Sequence, residues 1–391
     1  MKLALRSSSR ILPFVLPWIV LGCSSSSDGG AADADPGGAD SGVPNAAPGA
    51  EAGGSGPVAN GPVPDVPGAE TDAGPRAESG AEGPKLGKSV PSPVPTGCLD
   101  AVNAGDHVYT CEGLKFDVTV PKACESNACG LVVDVHGLTM NGAMEERNTG
   151  LRSLAATYGV VVMQPSANGA PPLSSWDLGG ADDVKVWNTM KLAMNAWHVD
   201  VDRVHFTGFS QGGGMTWRFL CKHADALASV APAAMTLYEG QASMACTFTG
   251  TDVPSREVDV LYMMGTKDTL ATDMTGAKPL PIQDAVVAHW KLPPLAVIAS
   301  GDGFRRRRTT SAKGTVFEHL EHDWVAPKVE LDLLVKKITL GGHCYPGSTD
   351  TKTDKAALLP GQLFPFGCEG TMPFSWGEEV MKFFAAHPRK P

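Results

Sequence analysis

Gly208-Phe209-Ser210-Gln211-Gly212 is the stretch on which the reading of this chain turns. Before it runs Arg203-Val204-His205-Phe206-Thr207, a short apolar, β-branched stretch that reads as a buried strand. After it comes Gly213-Gly214-Met215-Thr216-Trp217-Arg218-Phe219-Leu220-Cys221, with apolar residues at helical spacing. Strand, tight turn, helix is the context in which G-x-S-x-G marks a nucleophile elbow. The turn forces Ser210 into a strained backbone conformation, and a side chain at Gly208 or Gly212 would collide with the strand or the helix. The serine hydroxyl is then presented at the carboxyl end of a sheet, with a helix N-terminus behind it to favour developing negative charge. The plainer reading is a glycine-rich turn with a surface serine. The flanking pattern favours the nucleophile.

A serine hydroxyl is a poor nucleophile until a base takes its proton. On a strand–elbow–helix scaffold the partners follow in the order Ser, acid, His, each on a loop after a later strand. Asp268 lies in Met264-Gly265-Thr266-Lys267-Asp268, directly after the apolar run Val258 to Met264. His343 lies in Leu340-Gly341-Gly342-His343-Cys344-Tyr345-Pro346-Gly347, directly after a second predicted strand, Val329 to Leu340. Asp273 competes with Asp268 for the role of acid. The oxyanion donors are expected to be the backbone N–H of Gln211, next to the nucleophile, and that of Leu138, in Val135-His136-Gly137-Leu138. His136 is read as a support for that loop rather than as the base. Trp176 and Tyr345 are the candidates for contact with substrate, with core or loop packing the favoured alternative for Trp176.

Val-Asp-Val-His-Gly, an Asp-Asp-Val helix start, Gly-Phe-Ser-Gln-Gly-Gly-Gly-Met, Gly-Thr-Lys-Asp and Gly-Gly-His-Cys-Tyr-Pro-Gly follow one another along the chain. In that order they resemble esterases of the poly(3-hydroxybutyrate) depolymerase and feruloyl-esterase-like group. The resemblance covers Cys98 to Pro391. It implies an α/β-hydrolase fold, no cofactor, and a triad on Ser210, Asp268 and His343. Two departures, Tyr345 in place of the family's usual Trp and Leu-Thr-Met-Asn-Gly after His136-Gly137, lie near the acyl pocket and bear on substrate choice.

The fold expected is α/β, with a mostly parallel central sheet covered by helices on both faces. Gly130 to Val135 and Val160 to Gln164 read as buried parallel strands and Lys115 to Val120 as an antiparallel one. A further strand is read at Leu227 to Ala231. Helices are read at Ala143 to Tyr158, at Val184 to Trp197 after Asp182-Asp183, and from Ser375 through Phe384. No internal repeat is evident.

The 391 residues carry a formal net charge of −10 and no broad basic field, so nucleic acid is not expected as a partner. Arg305-Arg306-Arg307-Arg308 is read as a solvated hairpin. Residues 1–22 have the form of a lipoprotein signal peptide: Lys2, Arg6 and Arg10, then an apolar run from Ile11 to Leu21, ending at Gly22-Cys23. Cys23 is the expected lipidation site, with lipid anchoring at a bacterial outer membrane, or secretion, as the expected destination. Residues 23–97, rich in Gly, Ala, Pro and Asp, read as a disordered tether, and 98–391 as the catalytic domain. Of nine cysteines, eight remain beyond Cys23, an even set that fits disulfides in an exported chain. Pairing sequence neighbours gives Cys98–Cys111, Cys124–Cys129, Cys221–Cys246 and Cys344–Cys368. No His/Cys cluster has zinc spacing, and no metal is expected. These readings converge on a monomeric extracytoplasmic serine esterase acting on a polymeric ester, foremost a poly(3-hydroxybutyrate)-type polyester. The alternatives are a feruloyl or acetyl-xylan esterase and a non-catalytic binding protein on the same fold.

Overall fold

The computed structural model of the chain describes residues 86–390, apart from 242–243, 330 and 334–335. The signal-peptide reading, Cys23 and most of the expected tether lie outside the described residues. β1 (Gly105–Cys111) and β2 (Leu114–Val120) form an antiparallel hairpin. There follow β3 (Gly130–Val135), α1 (Gly142–Thr149), α2 (Leu151–Tyr158), β4 (Val160–Ser166) and α3 (Ala181–Ala196). Next come β5 (Val204–Phe209), α4 (Gln211–His223), β6 (Ser229–Ala233), β7 (Leu237–Tyr238) and β8 (Asp259–Gly265). After α5 (Leu270–Thr275), β9 (Pro279–Leu280) and α6 (Ile282–Trp290), three strands meander: β10 (Ala296–Gly301), β11 (Phe304–Thr310) and β12 (Val316–His322). A small ladder of β13 (Leu331–Leu333) and β14 (Lys336–Ile338) precedes the last helix, α7 (Trp376–Ala386).

Ten strands make one sheet in the order β1-β2-β4-β3-β5-β6-β8-β12-β11-β10. The strands from β4 to β12 are parallel to one another, and both edges are antiparallel. This is the α/β-hydrolase fold. The central strands are buried on both faces, which is why Gly130 to Val135 reads as a continuous apolar run. Alternation along each strand sends its residues to two cores. Val133 and Phe206 join Trp197 and Trp217 on one face, and Val132 and Phe209 join Tyr345 and Trp376 on the other.

Four readings change. The helix expected over Ala143 to Tyr158 is two helices, because Gly150 adopts φ 64° and its N–H closes α1 on the Glu146 carbonyl at 2.7 Å. The strand at Leu227 to Ala231 is shifted to Ser229–Ala233. The stretch Val329 to Leu340 is not a strand of the main sheet; its place beside β8 is taken by β12. Finally, the chain joins the domain before Cys98. Gly87 N donates to Ala128 O at 2.9 Å, Val90 N to Ser126 O at 3.0 Å, and Val94 N to Ala196 O at 3.0 Å. A proline-rich composition forbids a helix there but leaves extended backbone free to bond to a neighbour.

β12 reads as polar from its sequence, Val-Phe-Glu-His-Leu-Glu-His, because its carboxylates answer the arginines of β11. Arg305 pairs with Glu321 at 2.7 Å, Arg306 with Glu318 at 2.5 Å and with Glu379 of α7 at 2.6 Å, and Arg308 also pairs with Glu318. The arginine run is a hairpin strand, as read, but an ion-paired one rather than a solvated one. Disulfides join Cys98 to Cys111, Cys124 to Cys129, Cys221 to Cys246 and Cys344 to Cys368. Four such bonds belong to an oxidising compartment outside the cytoplasm. Among the described residues no helix is long and apolar enough to cross a membrane.

Glu318 is fully buried and serves two arginines. Glu318→Gln removes the charge, leaving Arg308 without its carboxylate and Arg306 with Glu379 alone. We expect it to lower the unfolding free energy by about 2 to 3 kcal/mol. The check is a lower denaturant midpoint at unchanged slope.

Candidate active site

Ser210 stands between the end of β5 and the first residue of α4, at φ 55° and ψ −117°. Such a conformation costs a non-glycine residue about 1–3 kcal/mol and persists only where the surroundings over-determine it. Here they do. Ser210 N donates to Ala233 O at 2.9 Å, and Gly214 N donates back to Ser210 O at 2.9 Å. A Cβ on Gly208 would lie 2.6 Å from the Val135 carbonyl oxygen, and one on Gly212 only 1.8 Å from it. The loop after β3 therefore lies directly against the elbow. Gly137 extends this contact: a Cβ there would meet the Ser210 Cβ at 3.2 Å. Leu138 is the next residue along this loop, and Gln211 opens α4 directly after Ser210.

Asp268 follows β8 in a turn closed by Asp268 N on Gly265 O at 3.1 Å. Its Oδ1 accepts from Leu270 N at 3.2 Å. Its Oδ2 lies 2.7 Å from His343 Nδ1, with both side chains buried. A carboxylate can only accept, so Nδ1 carries the proton and Nε2 is left as the basic nitrogen. Asp273 lies in α5 and accepts from Thr269 Oγ1 at 2.7 Å; it is Asp268 that accepts from His343. The His343 loop is held by Gly342 N on Lys267 O at 2.9 Å and by the Cys344–Cys368 disulfide. The imidazole packs on Phe209, the residue before Ser210, with ring centroids 4.7 Å apart. Histidine and aspartate therefore meet against Phe209, next to the serine elbow, at the carboxyl ends of β5 and β8.

His136 is a fixed, neutral strut. Its Nδ1 donates to Gly137 O at 2.7 Å, and its Nε2 accepts from Ala167 N at 2.9 Å. These bonds settle its tautomer, and burial pushes its pKa down to about 4. Trp176 and Tyr345 do not line an open surface. Trp176 is buried, its Nε1 donating to His136 O at 2.8 Å. Tyr345 is fully buried, stacked on Phe209 at 3.9 Å, and donates to Glu145 Oε2 at 2.6 Å. Both are large aromatics with a polar handle that finds its partner inside. Their assignment to substrate contact is corrected: each braces a loop of the site.

Sequence reasoning missed the side chain of Gln211. It accepts from Trp176 N at 2.9 Å and donates to Trp176 O at 3.1 Å, clamping that loop to the elbow. It also missed Asp134 and Glu145, buried behind the histidine loop. A signal for the first was present: an aspartate inside Leu-Val-Val-Asp-Val has to find donors or a proton.

No family model matches the chain. Over 103 residues it is 30% identical to a bifunctional acetylxylan esterase/xylanase of Neocallimastix patriciarum, covering 26% of this chain and 15% of that protein. Over 148 residues it is 28% identical to feruloyl esterase B of Piromyces equi, covering 37% of this chain and 27% of that protein. The curated relatives are acetylxylan and feruloyl esterases. The chain matches less than a third of the length of either. Among solved structures it is similar to an acetyl xylan esterase from Aspergillus awamori, with TM-score 0.42, 14% identity, and 56% and 92% of the two chains covered. It is also similar to an S-formylglutathione hydrolase from Staphylococcus aureus, with TM-score 0.34, 17% identity, and 48% and 87% covered.

The neutral state of His136 has a consequence for pH. Its folded-state pKa of about 4 lies below the ordinary 6.5, so the unfolded chain takes up this proton first as pH falls. The stability it contributes is complete above about pH 6.5 and is lost as pH falls from there toward 4. We expect the His136 ring resonances to stay flat above about pH 5 in an NMR titration. A midpoint near the ordinary value would show the ring to be solvated.

Proposed function

We propose that the protein is a serine esterase acting on ester groups carried by plant polysaccharide, acetyl or feruloyl. The observation that carries the chemistry is the 2.7 Å bond from His343 to Asp268, packed on Phe209 beside the strained Ser210. In this reading His343 Nε2 takes the Ser210 proton as Oγ attacks the ester carbonyl. Asp268 holds the imidazole in its Nδ1–H tautomer and stabilises the imidazolium. The N–H groups of Gln211 and Leu138 hold the oxyanion, and the α4 N-terminus behind Gln211 adds its dipole. Protonated His343 then gives its proton to the leaving alcohol. Water, deprotonated by the same nitrogen, resolves the acyl-enzyme and frees the acid.

The substrate class rests on the relatives. Both curated matches are named for esters of plant cell-wall material, acetylxylan and ferulate. This reading takes the place of the polyester drawn from the elbow and histidine-loop motifs. Anchoring through a lipidated Cys23 belongs to the same proposal, since the disulfides already put the domain outside the cytoplasm. Mass spectrometry of the mature N-terminus tests it: an unmodified residue there removes the anchor.

Ser210→Ala is expected to fold normally and to lose about 10⁴- to 10⁶-fold in kcat on p-nitrophenyl acetate. His343→Ala is expected to fall to the same level, because members of a triad act as a unit. Retention of more than a few per cent of activity by Ser210→Ala would sink the mechanism. On natural substrates, release of acetate or ferulate from xylan is expected. Release of hydroxybutyrate from amorphous polyester, with xylan untouched, would reverse the substrate assignment.

A further inference from the structure

Asp134 on β3 and Glu145 on α1 are both buried, at 1% and 0% exposure. Their donors can be counted. Asp134 Oδ2 accepts from Gln164 Nε2 at 2.9 Å and from Thr149 Oγ1 at 2.8 Å. Glu145 Oε2 accepts from Tyr345 OH at 2.6 Å. The two remaining oxygens, Asp134 Oδ1 and Glu145 Oε1, have no donor. Buried carboxylate oxygens without donors are costly, and two carboxylates in contact cannot both be ionised. The two side chains are close enough for each to shift the ionisation of the other. A single proton between Oδ1 and Oε1 satisfies both atoms at once. Asp134 holds two donors and Glu145 one, so the proton resides on Glu145.

We propose that Glu145, protonated through this shared hydrogen bond, is a positioning residue that fixes the catalytic histidine loop through Tyr345. Tyr345 is two residues from His343, stacks on Phe209 and donates to Glu145, so one ring touches the histidine loop, the strand before the nucleophile and the acid pair. Asp134 lies two residues before His136 on the strand that leads to the oxyanion loop. The pair thus ties together the segments that must keep register during catalysis.

The surrounding charges explain why a proton and not a cation completes the pair. The charged neighbours acting on it are Glu146 and the partners themselves, all acidic. Arg147, on the same helix, pairs with Asp350 at 3.2 Å. Arg152 of α2 pairs with Glu146 at 3.7 Å and donates to Gln164 Oε1 at 2.8 Å. On β2, Asp117 has Lys115 at 2.9 Å, and on α7, Glu379 has Arg306. Burial therefore pushes Asp134 up to about 6 and Glu145 well above the ordinary carboxylate range, and the titration belongs to the pair. The folded state holds a proton that the unfolded chain gives up from about pH 4.3 upward. The pair therefore lowers stability as pH rises toward its folded-state pKa.

This inference rests on the esterase reading for its kinetic arm alone. Glu145→Gln can accept from Tyr345 and donate to Asp134 without titrating. It is expected to keep kcat within about threefold, whereas Glu145→Ala should lose about 10- to 100-fold in kcat with KM within twofold. Should Glu145→Ala fail to fold, Tyr345→Phe carries the same expectation. The wild type should show the infrared carbonyl band of a protonated carboxyl that Glu145→Gln lacks. Its unfolding midpoint should fall against that of Glu145→Gln as pH rises from about 5 to 9. The proposal is overturned if Glu145→Gln is as damaged as the alanine or phenylalanine variant, if the band is absent, or if the two midpoints run parallel. If the wild type hydrolyses no ester, the esterase reading fails, and the band and the midpoints decide the shared proton.

Discussion

The site depends on one steric constraint, the closeness of the Val135 carbonyl to the elbow at Gly208 and Gly212. No residue with a Cβ fits at 212 without moving β3 or α4. This closeness brings the loop after β3, with Gly137 and Leu138, against Ser210. It is also what allows β5 to pass into α4 in one residue, with that residue in a conformation that serine does not adopt freely. The strain is held by ordinary material: two backbone hydrogen bonds and a sheet buried on both faces.

Around that contact the aromatic residues are structural. Phe209 carries His343 on one contact and Tyr345 on another, so the strand that leads to Ser210 also carries the His343 loop. Trp176 and His136 do the same for the oxyanion side. Their rings lie tilted against each other at 4.8 Å, the indole bonding to the His136 carbonyl and Gln211 holding the Trp176 backbone. Catalytic geometry of this kind must be kept to within a fraction of an ångström, and buried rings with one polar anchor each are well suited to that.

The legible parts of the sequence are those where local pattern and tertiary role agree. The run Gly130 to Val135 is apolar because β3 is central, and Ser375 caps α7 through the Glu378 N–H as its residue type leads one to expect. The elbow is legible because backbone contact leaves only glycine. β12 was not legible. Its Glu318 and Glu321 look like solvent-facing residues until the arginines of β11 are placed opposite, and that pairing is a property of the sheet, not of either strand. Tyr345 is hidden for a related reason, while Trp176 takes the packing role favoured for it. An aromatic on a loop near a nucleophile looks available to substrate, and only the partners of its N–H or O–H show that it faces inward.

Behind the site the core holds ionisable residues in a neutral state, from both directions. Burial pushes His136 and His322 down to about 4 and His205 to about 3, so these rings stay uncharged. It pushes Glu145 up, so this acid stays protonated. The two groups oppose each other in pH. The histidines favour the unfolded chain as pH falls below about 6.5, and the acid pair favours it as pH rises above about 4.3. Asp268 differs in having a cation-forming partner: a proton taken up by His343 places a positive charge beside the carboxylate that already accepts from its Nδ1. Buried charge is kept here, as at Glu318 with its two arginines, where an opposite charge faces it.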